Sequence, residues 1–169
     1  MNAMIGRMSG RRMARGFTLI ELLVTLAVIA ILISIGVPMY GSFTRDSAVS
    51  GATSELIGAI NDIRSRAVAE RTTMRLERLG AGAAGDWSAG WQAVRVSDGV
   101  TLYVVDHATS GAVVLEASSA NSVLFDREGR VTPVLSFTVY PAGAQAGDPG
   151  RDIAVSALGR TTITRISHP

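Results

Sequence analysis

Glu21 is the residue whose position calls for chemistry. It is the only charge in residues 17–37, an otherwise uncharged run of 21 residues that follows Arg7, Arg11, Arg12 and Arg15. A carboxylate at the centre of a bilayer costs about 2.5 to 3.5 kcal/mol on insertion scales and persists where it has a partner. The chemistry it offers is therefore ion pairing. The other titratable residues assemble no reacting set. His107 and His168 stand apart without ligand spacing, and no cysteine supplies a thiolate for a metal or a nucleophile. Asp86, Asp98, Asp106, Asp126 and Asp152 fall at predicted turns or strand ends, where aspartate bonds local backbone. No nucleophile elbow, phosphate loop or zinc motif occurs. Catalysis, a metal and a bound cofactor are accordingly not expected.

A second candidate is the stretch Gly159-Arg160-Thr161-Thr162-Ile163-Thr164-Arg165, whose two arginines, with Arg151, have the charge to meet phosphates. The charge balance opposes that use. Every basic residue is arginine, and without the four that precede Gly16 the remaining 12 arginines face 14 carboxylates, a side-chain charge of −2. Such a chain exerts no general attraction on nucleic acid. Arg160 and Arg165 are the residues a DNA contact would use, and DNA is not an expected partner. Trp87 and Trp91 read as packing residues, because aromatics carry large buried area.

The elements that position these residues follow from periodicity. At about 1.5 Å rise per residue, a helix over 17–37 spans the roughly 30 Å hydrocarbon core of a bilayer and places Glu21 inside it. The nearby helix N-terminus favours the carboxylate by about 0.3 to 1 kcal/mol. By the positive-inside rule the arginines hold the N-terminus in the cytoplasm and place the rest across the membrane. The run is too long for a secretory signal and ends in Ser34-Ile35-Gly36-Val37-Pro38, without a small-residue cleavage site. A plain anchor accounts for the length and the arginines but not for Glu21. Pro38 removes a backbone donor and predicts a bend.

Beyond it, Val49, Ala52, Leu56, Ile60, Ile63 and Ala67 recur at steps of three and four and define the apolar face of an amphipathic helix. Asp62 and Arg66 on the opposite side are spaced for a surface ion pair. After Arg71 the period changes to two, and segments such as 100–105 and 134–139 are rich in β-branched and aromatic residues. Turn signals at Ser97-Asp98-Gly99, Arg127-Glu128-Gly129 and Leu158-Gly159-Arg160 divide antiparallel hairpins, while 80–86 and 142–150 read as flexible loops. The expected fold class is α+β. A leader (1–16) precedes a long α-helical spine, made of a transmembrane half (17–37) and an amphipathic periplasmic half (38–71), packed on an antiparallel β domain (72–169). The part outside the membrane is long enough for one modest domain.

Arg15-Gly16-Phe17-Thr18-Leu19-Ile20-Glu21-Leu22 resembles the prepilin peptidase site of type IV pilins and type II secretion pseudopilins. The resemblance implies that a membrane aspartyl protease cuts after Gly16 and methylates the new N-terminal residue, Phe17. Glu21 then becomes the fifth mature residue and pairs with the N-terminal amine of a neighbouring subunit during assembly, and Pro38 corresponds to the helix-breaking proline of pilin stems. Further along, Trp87-Ser88-Ala89-Gly90-Trp91, Phe125-Asp126-Arg127-Glu128-Gly129-Arg130, Arg151-Asp152-Ile153-Ala154-Val155 and Gly159-Arg160 are similar to the GspH/FimT branch of the pseudopilins. That branch implies a pilin-like minor pseudopilin of type II secretion, single-pass in the bacterial inner membrane with a periplasmic C-terminal domain, assembled near the tip of a filament that drives protein export. Its partners would be prepilin peptidase, other major and minor pseudopilins, and membrane lipid. The alternative is a FimT-type minor pilin of a type IV pilus with a role in DNA uptake. Relatives of that kind carry Gly-Arg-x-Arg, whereas the fourth position here is Thr162. A membrane-anchored periplasmic enzyme is a third reading, against which the missing catalytic set argues.

Overall fold

The computed structural model describes residues 17–107 and 111–169. Gly16 and the arginines before it lie outside the described residues. Two compact units divide the chain after Tyr40, and one helix, α1 (Leu19–Glu70), contributes to both. Its backbone stays helical through Pro38. At its C-terminus Arg71 enters the left-handed region, with φ 50°. The Thr72 N–H then reaches back to the Ala67 carbonyl at 3.2 Å, which satisfies one of the last free carbonyls of the helix.

Among the described residues nine strands follow: β1 (Met74–Arg78), β2 (Gly90–Arg95), β3 (Thr101–Asp106), β4 (Ala112–Glu116), β5 (Ser122–Phe125), β6 (Val131–Thr132), β7 (Leu135–Pro141), β8 (Pro149–Val155) and β9 (Thr161–Ser167). The segments expected as strands at 100–105 and 134–139 are β3 and β7, each displaced by a residue or two. The β domain is two antiparallel sheets, ordered β3-β2-β1-β5-β6 and β4-β7-β8-β9. β1 is central in the first, where Leu76 meets Ala93 on one side and Val123 on the other. The three turn signals fall where expected, with Gly99, Gly129 and Gly159 at positive φ. The segment 142–150 is shorter as a loop than its composition suggests. Pro149 and Gly150 already belong to β8, opposite Ser167 and Ile166, and proline is tolerated as the first residue of a strand. The segment 80–86 is held by Arg78, whose guanidinium donates to Asn121 Oδ1 at 2.6 Å and to the Gly80 and Gly82 carbonyls at 3.2 and 3.0 Å.

The core lies between the outer half of α1 and the inner faces of the sheets. All six residues of the apolar stripe, from Val49 to Ala67, are buried, and they join Met74, Leu76, Phe125, Phe137 and Ile153 in one cluster. Each large apolar side chain so buried contributes about 1.5 to 3 kcal/mol. Both tryptophans are fully buried. Trp87 donates from Nε1 to the Ala120 carbonyl at 2.9 Å and meets the Phe137 ring edge-on at 5.2 Å.

Candidate functional site

α1 opens on a capping pair. Thr18 Oγ1 accepts the Glu21 N–H at 3.2 Å, and the Thr18 carbonyl accepts the first helical bond, from the Leu22 N–H at 3.2 Å. Thr18 is thus the N-cap and Glu21 the third helical residue, the spacing of a Thr-x-x-Glu capping box. The sequence reading assigned Glu21 to pairing and to the helix dipole and missed Thr18, although the threonine three positions earlier was the available signal. The carboxylate sits where free backbone N–H groups make the helix end positive.

The side chains that follow, to residue 36, are exposed, and this part of α1 is long and apolar enough to cross a membrane. Its hydroxyls are internally satisfied. Thr25 Oγ1 donates to the Leu22 carbonyl at 2.8 Å and Ser34 Oγ to the Ile31 carbonyl at 2.7 Å. In hydrocarbon that matters, because an unpaired hydroxyl costs roughly 2 to 7 kcal/mol to bury, depending on the reference state.

The three arginines of the C-terminal region do not form one patch. Arg151 is buried and bonds Asp46 at 3.0 Å and Ser50 Oγ at 3.5 Å, fastening β8 to α1. Arg165 is its cross-strand neighbour. Arg160 precedes the other end of β9, where its N–H bonds Ser156 Oγ at 3.2 Å beside a groove of about 710 Å³ bordered by Val134, Ala154 and Leu158. Arg160 stands just before β9 and Arg165 within it, so the two are spread along one strand rather than converging.

His107 is a buried structural residue. Its Nδ1 lies 2.8 Å from Glu55 Oε2, which ties the end of β3 to α1, and its ring tilts over Trp91 at 5.3 Å. Among the described residues no group of three or more His, Asp or Glu side chains gathers as a metal ion would need. Burial, with the Asp62 carboxylate adding to it, pushes the Tyr103 hydroxyl up to about 12. The Val100 N–H and the Arg95 guanidinium hold the Asp98 carboxyl below its ordinary value. Glu116, unremarked in the sequence, is buried and organises the loop after β4, its Oε2 accepting the Ser118 and Ala120 N–H groups at 2.9 and 2.7 Å.

Comparison with known proteins bears on both regions. The model of the prokaryotic N-terminal methylation motif matches residues 11–37, and that of type II transport protein GspH matches residues 52–159. No curated protein matches the sequence significantly. Among solved structures, the type IV minor pilin FimU of Pseudomonas aeruginosa superposes with a TM-score of 0.61 at 23% identity, over 72% of this chain and 92% of that one. A second crystal form of FimU gives 0.57 at 23% identity over 68% and 91%. The minor pseudopilin EpsH of the Vibrio cholerae type 2 secretion system gives 0.52 at 10% identity, over 69% of this chain and 95% of that one. These likenesses concern the fold, a long N-terminal helix against antiparallel sheets. With the domain model covering most of the chain beyond the apolar run and the methylation motif covering its start, the chain belongs to the type II transport protein GspH family.

Proposed function

We propose that the chain is a minor pseudopilin of a type II secretion system, cut after Gly16, N-methylated on Phe17 and built in near the tip of a periplasmic filament. The observation that carries this reading is the conjunction of a methylation motif over 11–37 with a carboxylate at the start of an otherwise uncharged helix. Cleavage creates an amine at Phe17, and an amine is the partner that removes most of the cost of an intramembrane carboxylate. In the filament the apolar helices bundle, Glu21 sets register by meeting the amine of a neighbour, and packing supplies most of the affinity. Before processing, the arginines hold the N-terminus in the cytoplasm, so the β domain lies in the periplasm. Pro38 gives the stem a point at which it bends or extends. The role is structural rather than enzymatic. The fold is shared with a type IV minor pilin and does not choose between machines. The family description, type II transport protein GspH, favours secretion.

Two measurements test the reading. Mass spectrometry of the chain from its native host should find a mature N-terminus at methylated Phe17; any other start, or an unmodified amine, counts against processing. Deleting the gene should block release of exported proteins and leave pilus-dependent motility intact. The reverse pattern would assign the chain to a type IV pilus.

A further inference from the structure

Two glycine turns pack against each other near the C-terminal end of α1. The turn before β6 carries Gly129 and the turn before β9 carries Gly159, and both glycines are buried. Arg64 of α1 fills the angle between them. Its Nε donates to the Gly129 carbonyl at 3.2 Å, and a Cβ placed on Gly159 would stand 2.7 Å from Arg64 Cδ and 2.7 Å from the same carbonyl. The Val131 N–H, bonded to the Ala157 carbonyl at 2.9 Å, ties the two turns together beyond the glycines. An arginine directly follows each glycine, so the seam brings Arg130 and Arg160 within one residue of the Arg64 contact, with Arg127 in the first turn.

These arginines are not spent on acids of their own chain. Arg127, Arg130 and Arg160 are exposed, and neither Arg64, Arg130 nor Arg160 has an ion-pair partner among the described residues. Arg127 meets Glu128 at 3.8 Å with both side chains open to solvent, a pairing that contributes little. Asp126 is occupied by its own turn, where its Oδ1 accepts the Glu128 and Arg130 N–H groups at 3.0 and 2.7 Å. Basic charge is thus concentrated here on a chain whose side-chain charge after Gly16 is −2.

Apolar surface borders the cluster on both sides. On one, Arg64 stands with Val68 and Ala69 along a groove of about 410 Å³; on the other, Arg160 stands with Val134 and Leu158 along the groove of about 710 Å³. Val68, Val134 and Leu158 are 47%, 57% and 61% exposed. Glu116 also borders the second groove, but it is buried and its Oε2 is held by the Ser118 and Ala120 N–H groups. Arginine among exposed aliphatic side chains suits a protein partner. A single-stranded nucleic acid would stack on aromatic faces, and the large exposed aromatics among the described residues, Phe17, Tyr40 and Phe43, lie far back along the chain.

We infer that this seam is the docking surface for an acidic segment of a different protein chain, its carboxylates meeting Arg64, Arg130 and Arg160 and its aliphatic side chains entering the two grooves. A second copy is a poor source of such a segment. Among its acids, Asp62 is already paired with Arg66, Glu70 and Asp98 with Arg95, and Asp148 with Arg45. The contact joins unlike chains, so a single copy suffices in an assembly. It belongs to the folded β domain and depends on neither cleavage after Gly16 nor the choice of machine, so its failure is distinct from failure of the secretion reading.

Selection of a phage-displayed random peptide library on the full-length chain in lipid nanodiscs tests the inference. Wild type should enrich peptides that combine Asp or Glu with Leu, Ile or Val, and a synthetic copy of the most enriched peptide should bind Arg130→Glu/Arg160→Glu at least about ten-fold more weakly. Arg165→Glu, further along β9, should change that affinity less than about two-fold. Because both replaced side chains are exposed and unpaired, the double variant should keep the wild-type urea midpoint, read from Trp87 and Trp91 fluorescence. Arg130→Gln/Arg160→Gln, which removes the charges without reversing them, should weaken binding about three-fold or more and carries the test if reversal disturbs the fold. Failure to enrich acidic, apolar peptides, affinity indifferent to both double variants, or an equal loss with Arg165→Glu would overturn the inference. So would a short DNA duplex whose salt-sensitive binding is lost in the double variants while no acidic peptide is enriched.

Discussion

Glu21→Ala should leave the chain inserted in the membrane and cleaved after Gly16, yet cut its share of isolated filaments more than tenfold. Removing one partner of a buried ion pair costs about 3 to 5 kcal/mol because the other charge is left uncompensated, and here that partner would be the amine of Phe17 on a neighbouring subunit. The N-terminal geometry refines the experiment. Glu21 is also the third residue after the Thr18 cap, so alanine removes a helix-start residue together with the charge. Glu21→Gln separates the two effects, since glutamine keeps the capping-box chemistry and loses only the carboxylate. If charge pairing sets register, both variants fail to incorporate while their membrane and cleaved amounts match wild type in quantitative immunoblots. Normal incorporation of the glutamine variant would reduce Glu21 to a helix cap. Normal incorporation of both would remove it from assembly.

Gly90→Ala should destabilise the β domain by about 2 to 6 kcal/mol. Gly90 sits at φ 110°, and a Cβ built on it stands within contact-forbidden range of the Val105 carbonyl and 2.9 Å from the His107 nitrogen. Both obstacles are backbone, so no side chain can rotate away. Strain at positive φ costs about 1 to 3 kcal/mol, and overpacking costs about 1 to 3 kcal/mol more. Domains of this kind have about 5 to 15 kcal/mol in total. Relief requires β3 to part from β2 at its end, which opens the pocket of Trp91 and His107 and strains the bond to Glu55. Trp91 is adjacent and Trp87 close by, so tryptophan fluorescence during urea unfolding of the full chain reads the change directly. A midpoint within about 0.5 kcal/mol of wild type would show that the β2–β3 pairing yields without cost.

The sequence made α1 legible because its stripe obeys steps of three and four without interruption, and every residue assigned to that face is buried. The Asp62–Arg66 pair, at 2.8 Å, was readable for the same reason: both its register and its partners are local. Strand interiors and turns were readable from alternation and glycine. The division into two sheets was not. Leu76 finds Ala93 and Val123, residues far apart in sequence, and β4 leaves its chain neighbours to pair with β7. No local period selects such partners. Arg151 and Glu116 were opaque for another reason: charged residues are seldom buried, and these two are tolerated through the distant Asp46 for Arg151 and through the turn that brings the Ser118 and Ala120 N–H groups onto Glu116. Within the candidate site, the carboxylate stood out by its isolation, whereas Thr18 was hidden among the apolar residues beside it.

The uninterrupted stripe on α1 also decides where this gene can change its length. One extra residue between Val49 and Ala67 would rotate everything on one side of it by about 100° relative to the other, swinging buried leucine and isoleucine to solvent and drawing charged neighbours such as Glu55 or Arg66 inward. Four extra residues bring the angle back to within about 40°, at the cost of sliding the helix by roughly 6 Å along strands whose side chains keep their places. The turn before Pro149 has no phase to keep. Insertions and deletions should therefore accumulate at 142–148, and the segment from 49 to 67 should hold one length wherever the fold is kept.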